Sequence, residues 1–200
     1  MKRTFEEALR NRRSYYAIGN KWLVPHVEIE TMLGNVLTCL PSSFNSQSTR
    51  IVLLCDEAHR RFWELTKSVL REVVPAESFG KTEKKIDLSF EAGCGTVLFF
   101  EDISVVEKMQ HDYPLYADRF PVWSQQTAAM HQLAVWTRLE DVGFGASLQH
   151  YNPLVDEAVV REWRLPRSWQ LNAQMPFGNP LQAPGEKEVS PLEYRLKVFR

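Results

Sequence analysis

The chain has 200 residues with 24 basic and 25 acidic side chains, and 44% of its residues are hydrophobic. This composition is typical of a globular protein, so we expect one domain over residues 1–200, and the near-zero net charge argues against a nucleic-acid partner. No stretch approaches the roughly 20 apolar residues that cross a membrane, and the N-terminus carries charges where a signal peptide has its apolar region. We therefore expect a cytoplasmic protein without a membrane partner.

The three cysteines and five histidines show none of the spacings that disulfide frameworks or zinc sites require. We therefore expect no metal. Cys55 and Cys94 lie in or beside apolar runs, where a buried and unreactive thiol is the common situation.

Helices and strands alternate in the first half of the chain. Thr4 with Glu7 three residues later forms a capping box for a helix over residues 4–11, and Pro25 and Pro41 delimit a second helix. The remaining predicted elements here are a strand over 50–55, a helix over 56–73 capped by Asp56 and ended by Pro75, a charged helix over 82–91, and a buried strand over 96–100.

The second half begins with a short helix that starts at Asp102 or Ser104. A helix over residues 121–141 is apolar around most of its circumference, so we expect it to be buried on nearly all sides, in the core or at a subunit interface. Gly143 follows as a C-cap. Strands are predicted over 146–151 and 171–175, with a helix over 153–163 between them.

The tail differs in composition from the rest of the chain. Residues 176–191 are rich in proline and glycine and should be extended, and residues 195–199 have a strand-like pattern. We expect this end to pair with a distant sheet edge, in this subunit or another. The order of elements predicts an α+β fold with a sheet of four or five strands.

Familiar phosphate-binding motifs are absent from the sequence. Gly143-Phe144-Gly145 follows a helix, and the third position of the dinucleotide fingerprint holds Leu148, so this is not a Rossmann loop. The chain also lacks a Walker A sequence. If a phosphate is bound, side chains must do most of the binding.

Arg12-Arg13-Ser14 is a candidate for that role. Two guanidinium groups beside a hydroxyl form a compact site for a phosphate monoester. Arginines in the last turn of a helix also complement the helix dipole, and the residue types alone favour this second interpretation.

Residues 42–49 contain seven hydroxyl or amide side chains in eight positions. They form either a turn cluster that satisfies its own backbone or a wall of donors and acceptors for a polar heteroaromatic ring. In the second interpretation Asn45 and Gln47 make paired hydrogen bonds. The two interpretations have equal weight.

Longer blocks carry a family resemblance. Arg12-Arg13-Ser14, PSSFNSQSTR, PLYADRFPVWSQQ, GASLQHYNP and AQMPFG, in this order along essentially the whole chain, resemble the flavin-dependent nitroreductase superfamily. They look like the subgroup that contains the fatty-acid-repression and copper-induced nitroreductases.

The resemblance implies an α+β homodimer with a mostly antiparallel sheet flanked by helices, an exchanged C-terminal arm, and FMN at the subunit interface. It assigns flavin binding to Arg12, Arg13 and Ser14, to Pro41, Ser42, Ser43, Asn45 and Gln47 from the partner subunit, to the backbone around Leu148, Gln149 and His150, and to Lys187 at the phosphate.

One position departs from the family pattern. Many members carry Lys or Arg near flavin N1 and O2, where this chain has Tyr16. Either Lys81, Lys84 or Lys85 takes that place, or the flavin potential differs, because a cation there stabilises the reduced flavin.

The implied activity is NADH- or NADPH-dependent reduction of small aromatic acceptors such as nitroarenes, quinones or N-oxides, with no catalytic side chain. Tyr116, Phe120 and Trp123 either line the acceptor slot or are ordinary core residues. His150 is a candidate proton donor or an orienting residue. The alternative function is a flavin-binding regulator of lipid or metal homeostasis with little turnover.

Overall fold

The computed structural model describes residues 4–200 as a five-stranded antiparallel sheet with helices on both faces. The helices are α1 (Phe5–Asn11), α2 (His26–Cys39), α3 (Asp56–Val73), α4 (Ala76–Ile86), α5 (Ile103–Asp112), α6 (Phe120–Asp141) and α7 (Asp156–Glu162), with a π-helix over Asp87–Glu91. The strands are β1 (Ile18–Gly19), β2 (Thr49–Cys55), β3 (Gly95–Asp102), β4 (Gly145–Ala146) and β5 (Trp169–Pro180). The α+β prediction is confirmed.

The sheet has the order β1-β5-β3-β2, and β4 also pairs with β5. In β3 every residue is buried, which explains its continuous apolar run. Val97 and Phe99 face the core formed with α2 and α6, whereas Leu98 and Phe100 face the core formed with α3, α4 and α7. In the described part of the chain β2 pairs on one side only, so its other edge is open.

Two predicted helix ends are confirmed in detail. The Thr4 hydroxyl accepts the Glu7 N–H, and the Glu7 carboxylate accepts the Thr4 N–H at 2.8 Å, which completes the capping box. At the end of α6, Gly143 has a φ of +94° and donates to the Glu140 carbonyl, while Phe144 donates to the Leu139 carbonyl. This is a Schellman motif, in which glycine adopts the left-handed conformation without strain.

The prediction that Asp56 caps α3 is wrong. No side chain caps this helix, and Asp56 is its first residue with a φ of +48°. The carboxylate instead accepts a hydrogen bond from Trp22 Nε1 at 2.9 Å and lies 3.5 Å from His26 Nε2. A tertiary contact has therefore taken the side chain from its local role.

Other predicted boundaries differ from the structure. The charged helix begins at Ala76, directly after Pro75, and ends in the π-helix. The strand predicted over 146–151 is reduced to β4 and an isolated bridge between Gln149 and Gln174. Strand β5 continues through Pro176, whose carbonyl accepts the Ser147 N–H.

Helix α6 is buried on one side in the single chain, so the core of one chain does not cover it on nearly all sides. Val122, Met130 and Leu133 are each 42–53% exposed in the single chain. The other predicted location for such a helix, a subunit interface, remains a prediction.

Residues 195–199 form no strand in the single chain. Most of the segment from residue 181 onward is exposed, with one short 3-10 helix at Leu192–Tyr194. Pairing of this end with another subunit stays a prediction. Between residues 4 and 200 no helix is both long and apolar enough to span a bilayer.

Candidate functional site

A cleft of about 780 Å³ lies between the segment after α1, the π-helix and the tail. Its lining residues are Arg12, Arg13, Ser14, Tyr15, Tyr16, Ala17, Leu88, Ser89, and residues 182–187, which include Glu186 and Lys187. The structure thus brings together five of the predicted site residues, although Lys187 is about 170 positions from the others in the sequence.

Backbone pairing positions the 12–16 segment. Ser14 forms a parallel bridge with Ala146 of β4, and the Tyr15 N–H donates to the Ala146 carbonyl at 3.0 Å. The neighbouring residue, Gly145, packs against Tyr15 so closely that an added Cβ would lie 2.8 Å from Tyr15 Cγ. Gly145 therefore permits the approach that attaches this segment to the sheet.

Arg12 is partly buried and incompletely paired. Its guanidinium carbon lies 4.3 Å from the centroid of the Trp136 ring, and its Nε atom is buried without a hydrogen-bond partner. Burial lowers the pKa of Arg12, the neighbouring Arg13 lowers it further, and Glu140 opposes the shift. An anion at this position would relieve both the desolvation and the repulsion between the two arginines.

Arg13 connects the segment to the tail. Its Nη2 donates to the Gly185 carbonyl at 2.8 Å, two residues before Lys187. Arg12, Arg13 and Lys187 therefore place three cations on one cleft, against the single carboxylate of Glu186.

Tyr16 lines the cleft at the position where the family pattern has a cation. Its ring is 6.4 Å from the Phe90 ring, and Lys85 Nζ lies 5.7 Å from the same Phe90 ring. Lys81, Lys84 and Lys85 are not among the residues that line the cleft in the described part of the chain.

The π-helix forms the opposite side of the cleft. The sequence predicted neither this helix nor its place in the site. Lys67 holds it from behind, with Nζ 2.7 Å from Asp87 Oδ1 and 2.8 Å from Glu91 Oε2. Leu88 and Ser89 thereby face the cleft. The three carboxylates around Lys67, which include Glu64, raise its pKa although burial opposes this.

Residues 42–47 lie elsewhere in the chain's own structure. Ser42 and Gln47 line a separate hollow of about 300 Å³, together with Arg50, His131 and Trp169. One chain therefore does not bring these predicted site residues to the Arg12 cleft.

The backbone of this segment is unusual. Phe44, Asn45 and Gln47 have φ values of +55°, +53° and +50°, a region that residues other than glycine seldom adopt. The Gln47 N–H donates to Ser42 Oγ at 2.9 Å, as expected for a turn that satisfies its own backbone. The Gln47 and Asn45 side chains are exposed, and their predicted hydrogen bonds to a ring remain a prediction.

A buried carboxylate adjoins the segment and was not found from the sequence. Ser48 Oγ and Thr49 Oγ1 each donate to a carboxylate oxygen of Glu101 at 2.5 Å, and Glu101 is fully buried. Burial raises the pKa of Glu101, and the two hydroxyls oppose this shift. In the sequence, Glu101 and Asp102 look like ordinary charges at the end of a strand.

An aromatic cluster surrounds Phe44. Its ring centroid lies 4.8–6.0 Å from the centroids of Tyr113, Tyr116, Phe120 and Trp123. Phe120 is buried, as a core residue would be, whereas Tyr116 is 41% exposed. The residues predicted to line the acceptor slot therefore lie partly in the core and partly at the surface.

The three residues predicted near flavin N5 do not line the Arg12 cleft. Leu148 packs against the core, and the Gln149 N–H donates to the Gln174 carbonyl at 2.7 Å. Because the Gln149 N–H is already hydrogen-bonded, the predicted backbone contact with flavin N5 rests on Leu148 and the exposed His150.

The cysteines show no sign of activation. Burial raises the pKa of Cys94 to about 12 and that of Cys55 to about 11, so both are thiols at neutral pH. Within residues 4–200, no group of three or more His, Cys, Asp or Glu side chains is arranged to hold a metal ion.

Comparisons with known proteins agree with this fold. The nitroreductase family model matches residues 9–179. The chain is 33% identical to nitroreductase FRM2 of Saccharomyces cerevisiae over 90% of both chains, and 33% identical to HBN1 of the same yeast over 92% of both. Nitroreductase CinD from Lactococcus lactis, solved with 4-nitrophenol, is 39% identical and superimposes with a TM-score of 0.90 over 98% of this chain and 100% of its own.

These similarities confirm the family resemblance drawn from the sequence. The two yeast relatives, FRM2 and HBN1, support the predicted subgroup. Members of the family typically bind flavin, and membership supports an oxidoreductase of the nitroreductase type. With most of its length matched by the family model and two relatives above 30% identity, the chain belongs to the nitroreductase family.

Proposed function

We propose that this protein is an FMN-dependent NAD(P)H oxidoreductase that reduces nitroaromatic compounds, and also quinones or N-oxides, as a cytoplasmic homodimer. The observation that carries the proposal is the Arg12 cleft, in which Arg12, Arg13 and Lys187 converge and the buried Arg12 Nε has no hydrogen-bond partner. CinD, which was solved with 4-nitrophenol and with chloramphenicol, supports the class of acceptor.

The cleft residues fit FMN. Guanidinium and ammonium groups are the usual partners of a phosphate monoester, and a volume of about 780 Å³ is within the range of small-molecule sites. FMN fits better than FAD because the chain has no glycine loop for a pyrophosphate. Arg12, Arg13 and Lys187 would hold the phosphate, with Ser14 and Tyr16 beside the rest of the molecule.

Held by Arg12, Arg13 and Lys187, FMN would supply hydride transfer between NADH or NADPH and an electron-poor acceptor. The protein's own residues bind and orient, and none of them acts as a catalytic acid or base. The exposed Tyr116 and the half-buried Trp123 offer flat apolar surface against which an aromatic acceptor can stack.

A second copy of the chain completes the site. Pro41, Ser42, Ser43, Asn45 and Gln47 lie away from the Arg12 cleft of their own chain and would reach FMN in the partner's cleft, and the backbone around Leu148, Gln149 and His150 would approach it near N5. Residues 195–199 would pair with the open edge of β2 in the partner subunit. The exposed apolar side chains of α6 would be covered in the same interface.

Absorption spectroscopy of the freshly purified protein tests this function. We expect a yellow protein that releases FMN on denaturation and oxidises NADH or NADPH with 4-nitrophenol. Because donor and acceptor would occupy one face in turn, double-reciprocal plots should be parallel, as in a ping-pong mechanism. A colourless protein that takes up no added FMN would contradict the proposal.

The same assay distinguishes the alternative function. The second candidate is a flavin-binding regulator of lipid or metal homeostasis with little turnover. A protein that holds FMN but turns over more slowly than about 0.01 per second with all acceptor classes would favour that candidate over an enzyme.

A further inference from the structure

The 42–47 segment is held in a conformation that its sequence alone does not favour. Phe44, Asn45 and Gln47 are left-handed, and of these only asparagine tolerates that region well. Such a backbone persists only when its surroundings over-determine it. The surroundings therefore need to supply strong contacts close to Gln47.

Glu101 supplies these contacts on the C-terminal side. Its two carboxylate oxygens accept hydrogen bonds from Ser48 and Thr49, the two residues that directly follow Gln47. The β2–β3 register aligns Thr49 with Glu101, and the Asp102 N–H donates to the Ser48 carbonyl at 2.9 Å. The end of the segment is thus attached to the fully buried strand β3.

Arg50 adds a second connection. One of its nitrogen atoms donates to the Gln47 carbonyl at 2.7 Å and another donates to Asp102 Oδ2 at 3.1 Å. Arg50 is therefore engaged with Asp102, and among the described residues no cation pairs directly with Glu101. A fully buried carboxylate without a direct ion pair is costly, and its two short hydrogen bonds to hydroxyls are its compensation.

We propose that Glu101 is a positioning residue for flavin binding, which acts through Ser48 and Thr49 to hold the Asn45 and Gln47 amides where they meet the flavin ring. This inference rests on the proposed function. The carboxylate does not touch the flavin. It holds two amides in the geometry that paired hydrogen bonds to a heteroaromatic edge require.

The decisive variant is Glu101→Gln, which keeps the shape of the side chain but replaces one acceptor oxygen with an amide donor. We expect the dissociation constant for FMN to rise at least tenfold, with a changed flavin absorption spectrum. In the apo-protein, hydrogen exchange of the amides of residues 43–47 should become at least tenfold faster, because the contacts of residue 101 with Ser48 and Thr49 are weakened while the Arg50 contact with the Gln47 carbonyl remains.

A double variant, Ser48→Ala with Thr49→Val, removes the partner hydroxyls and should reproduce these changes. Combined with Glu101→Gln it should add little, since all three changes break the same contacts. If Glu101→Gln does not fold, the double variant still tests the inference.

Thr96→Val is the matched control. Thr96 is a fully buried residue of the same strand, and it bonds to His59 and Trp63 at the far end from the 42–47 segment. It should lower the melting temperature but change neither FMN affinity nor exchange at residues 43–47.

Two results would overturn the inference: wild-type FMN affinity and exchange in both Glu101→Gln and the double variant, or an equal loss of affinity in Thr96→Val. If the wild-type protein itself shows no affinity for FMN, the proposed function fails. The exchange measurement then still decides whether Glu101 holds the segment.

Discussion

The 12–16 and 42–49 segments contribute to the same proposed cofactor site but are built differently. The first is attached to the sheet through its backbone, by the pairing of Ser14 and Tyr15 with Ala146, and its charged side chains remain available. The second is attached by the Glu101 and Arg50 side chains in addition to backbone pairing at Ser48 and Thr49, and its backbone adopts left-handed conformations before that point.

The difference indicates two kinds of binding. The 12–16 segment offers charge, which acts over several ångströms and tolerates small displacements. The 42–49 segment offers hydrogen bonds from neutral amides, which weaken steeply when distances or angles change. We therefore expect the first segment to be sensitive to lost cations and salt, and the second to be sensitive to small shifts in geometry.

Removal of residues 186–200 should have the largest effect, because it breaks both halves of the site. It takes Lys187 from the cleft and removes the end that we expect to pair with a partner subunit. The truncated protein should elute as a monomer or aggregate in size-exclusion chromatography and contain little FMN.

Lys187→Ala is the control for this truncation, since it removes the cation and keeps the arm. We expect a dimer with weaker FMN binding. A truncated protein that remains a yellow dimer would contradict the exchanged arm, although FMN binding through Arg12 and Ser14 would still be consistent with the structure.

Gly145→Ala should have an intermediate effect, because it shifts the 12–16 segment without removing any charge. The new Cβ would lie 2.8 Å from Tyr15 Cγ, so Tyr15 has to move away from β4. We expect a destabilisation of about 1–3 kcal/mol, typical of overpacking, and a severalfold loss of FMN affinity in a fluorescence titration.

Gly34→Ala provides the comparison for that variant, since an added Cβ has no neighbour within 4 Å at this helical position. It should stabilise the protein by about 0.5–1 kcal/mol and leave FMN affinity unchanged. Unchanged FMN affinity in Gly145→Ala would show that the charged segment tolerates displacement even better than we expect.

A change in salt concentration should have the smallest effect on FMN affinity, and it should distinguish charged contacts in the cleft from the amide contacts of the 42–49 segment. Raising ionic strength shortens the screening length to about 3 Å at 1 M, which weakens the attraction between the phosphate and the exposed Lys187. FMN affinity should fall severalfold between low and high salt. Lys187→Ala should make FMN affinity less dependent on salt concentration. Gln47→Ala should lower FMN affinity at all salt concentrations and leave its dependence on salt unchanged. FMN titrations of both variants over the same series of salt concentrations would measure these effects.

Much of the sheet and helix pattern was predictable because local signals and tertiary packing agree. Three local patterns each favour a single structure: the apolar run of β3 a buried strand, the capping box at Thr4 a helix start, and the glycine after α6 a helix end. The structure confirms all three. The prediction for Asp56 failed because Trp22, 34 residues away, competes for the same carboxylate. No local pattern contains that competition.

The site was predictable only in part, for a related reason. Arg12, Arg13, Ser14 and Lys187 were assigned by resemblance, and the structure brings them together through the Arg13 bond to Gly185. Leu88, Ser89 and Glu101 were missed. Their positions depend on a π-helix held by Lys67 and on strand register, which are properties of the assembled fold and carry no signature in the residues themselves.

The open edge of β2 has a consequence for how the protein behaves before it meets a partner. Strand β2, Thr49–Cys55, pairs with β3 on one side and leaves outward-facing backbone groups of its apolar sequence RIVLLC open on the other side. Such an edge is a template for edge-to-edge aggregation, and in the proposed dimer the tail of the partner subunit would cover it. The apparent melting temperature should therefore rise with protein concentration. Newly made chains should depend most on chaperones when the chains themselves are scarce.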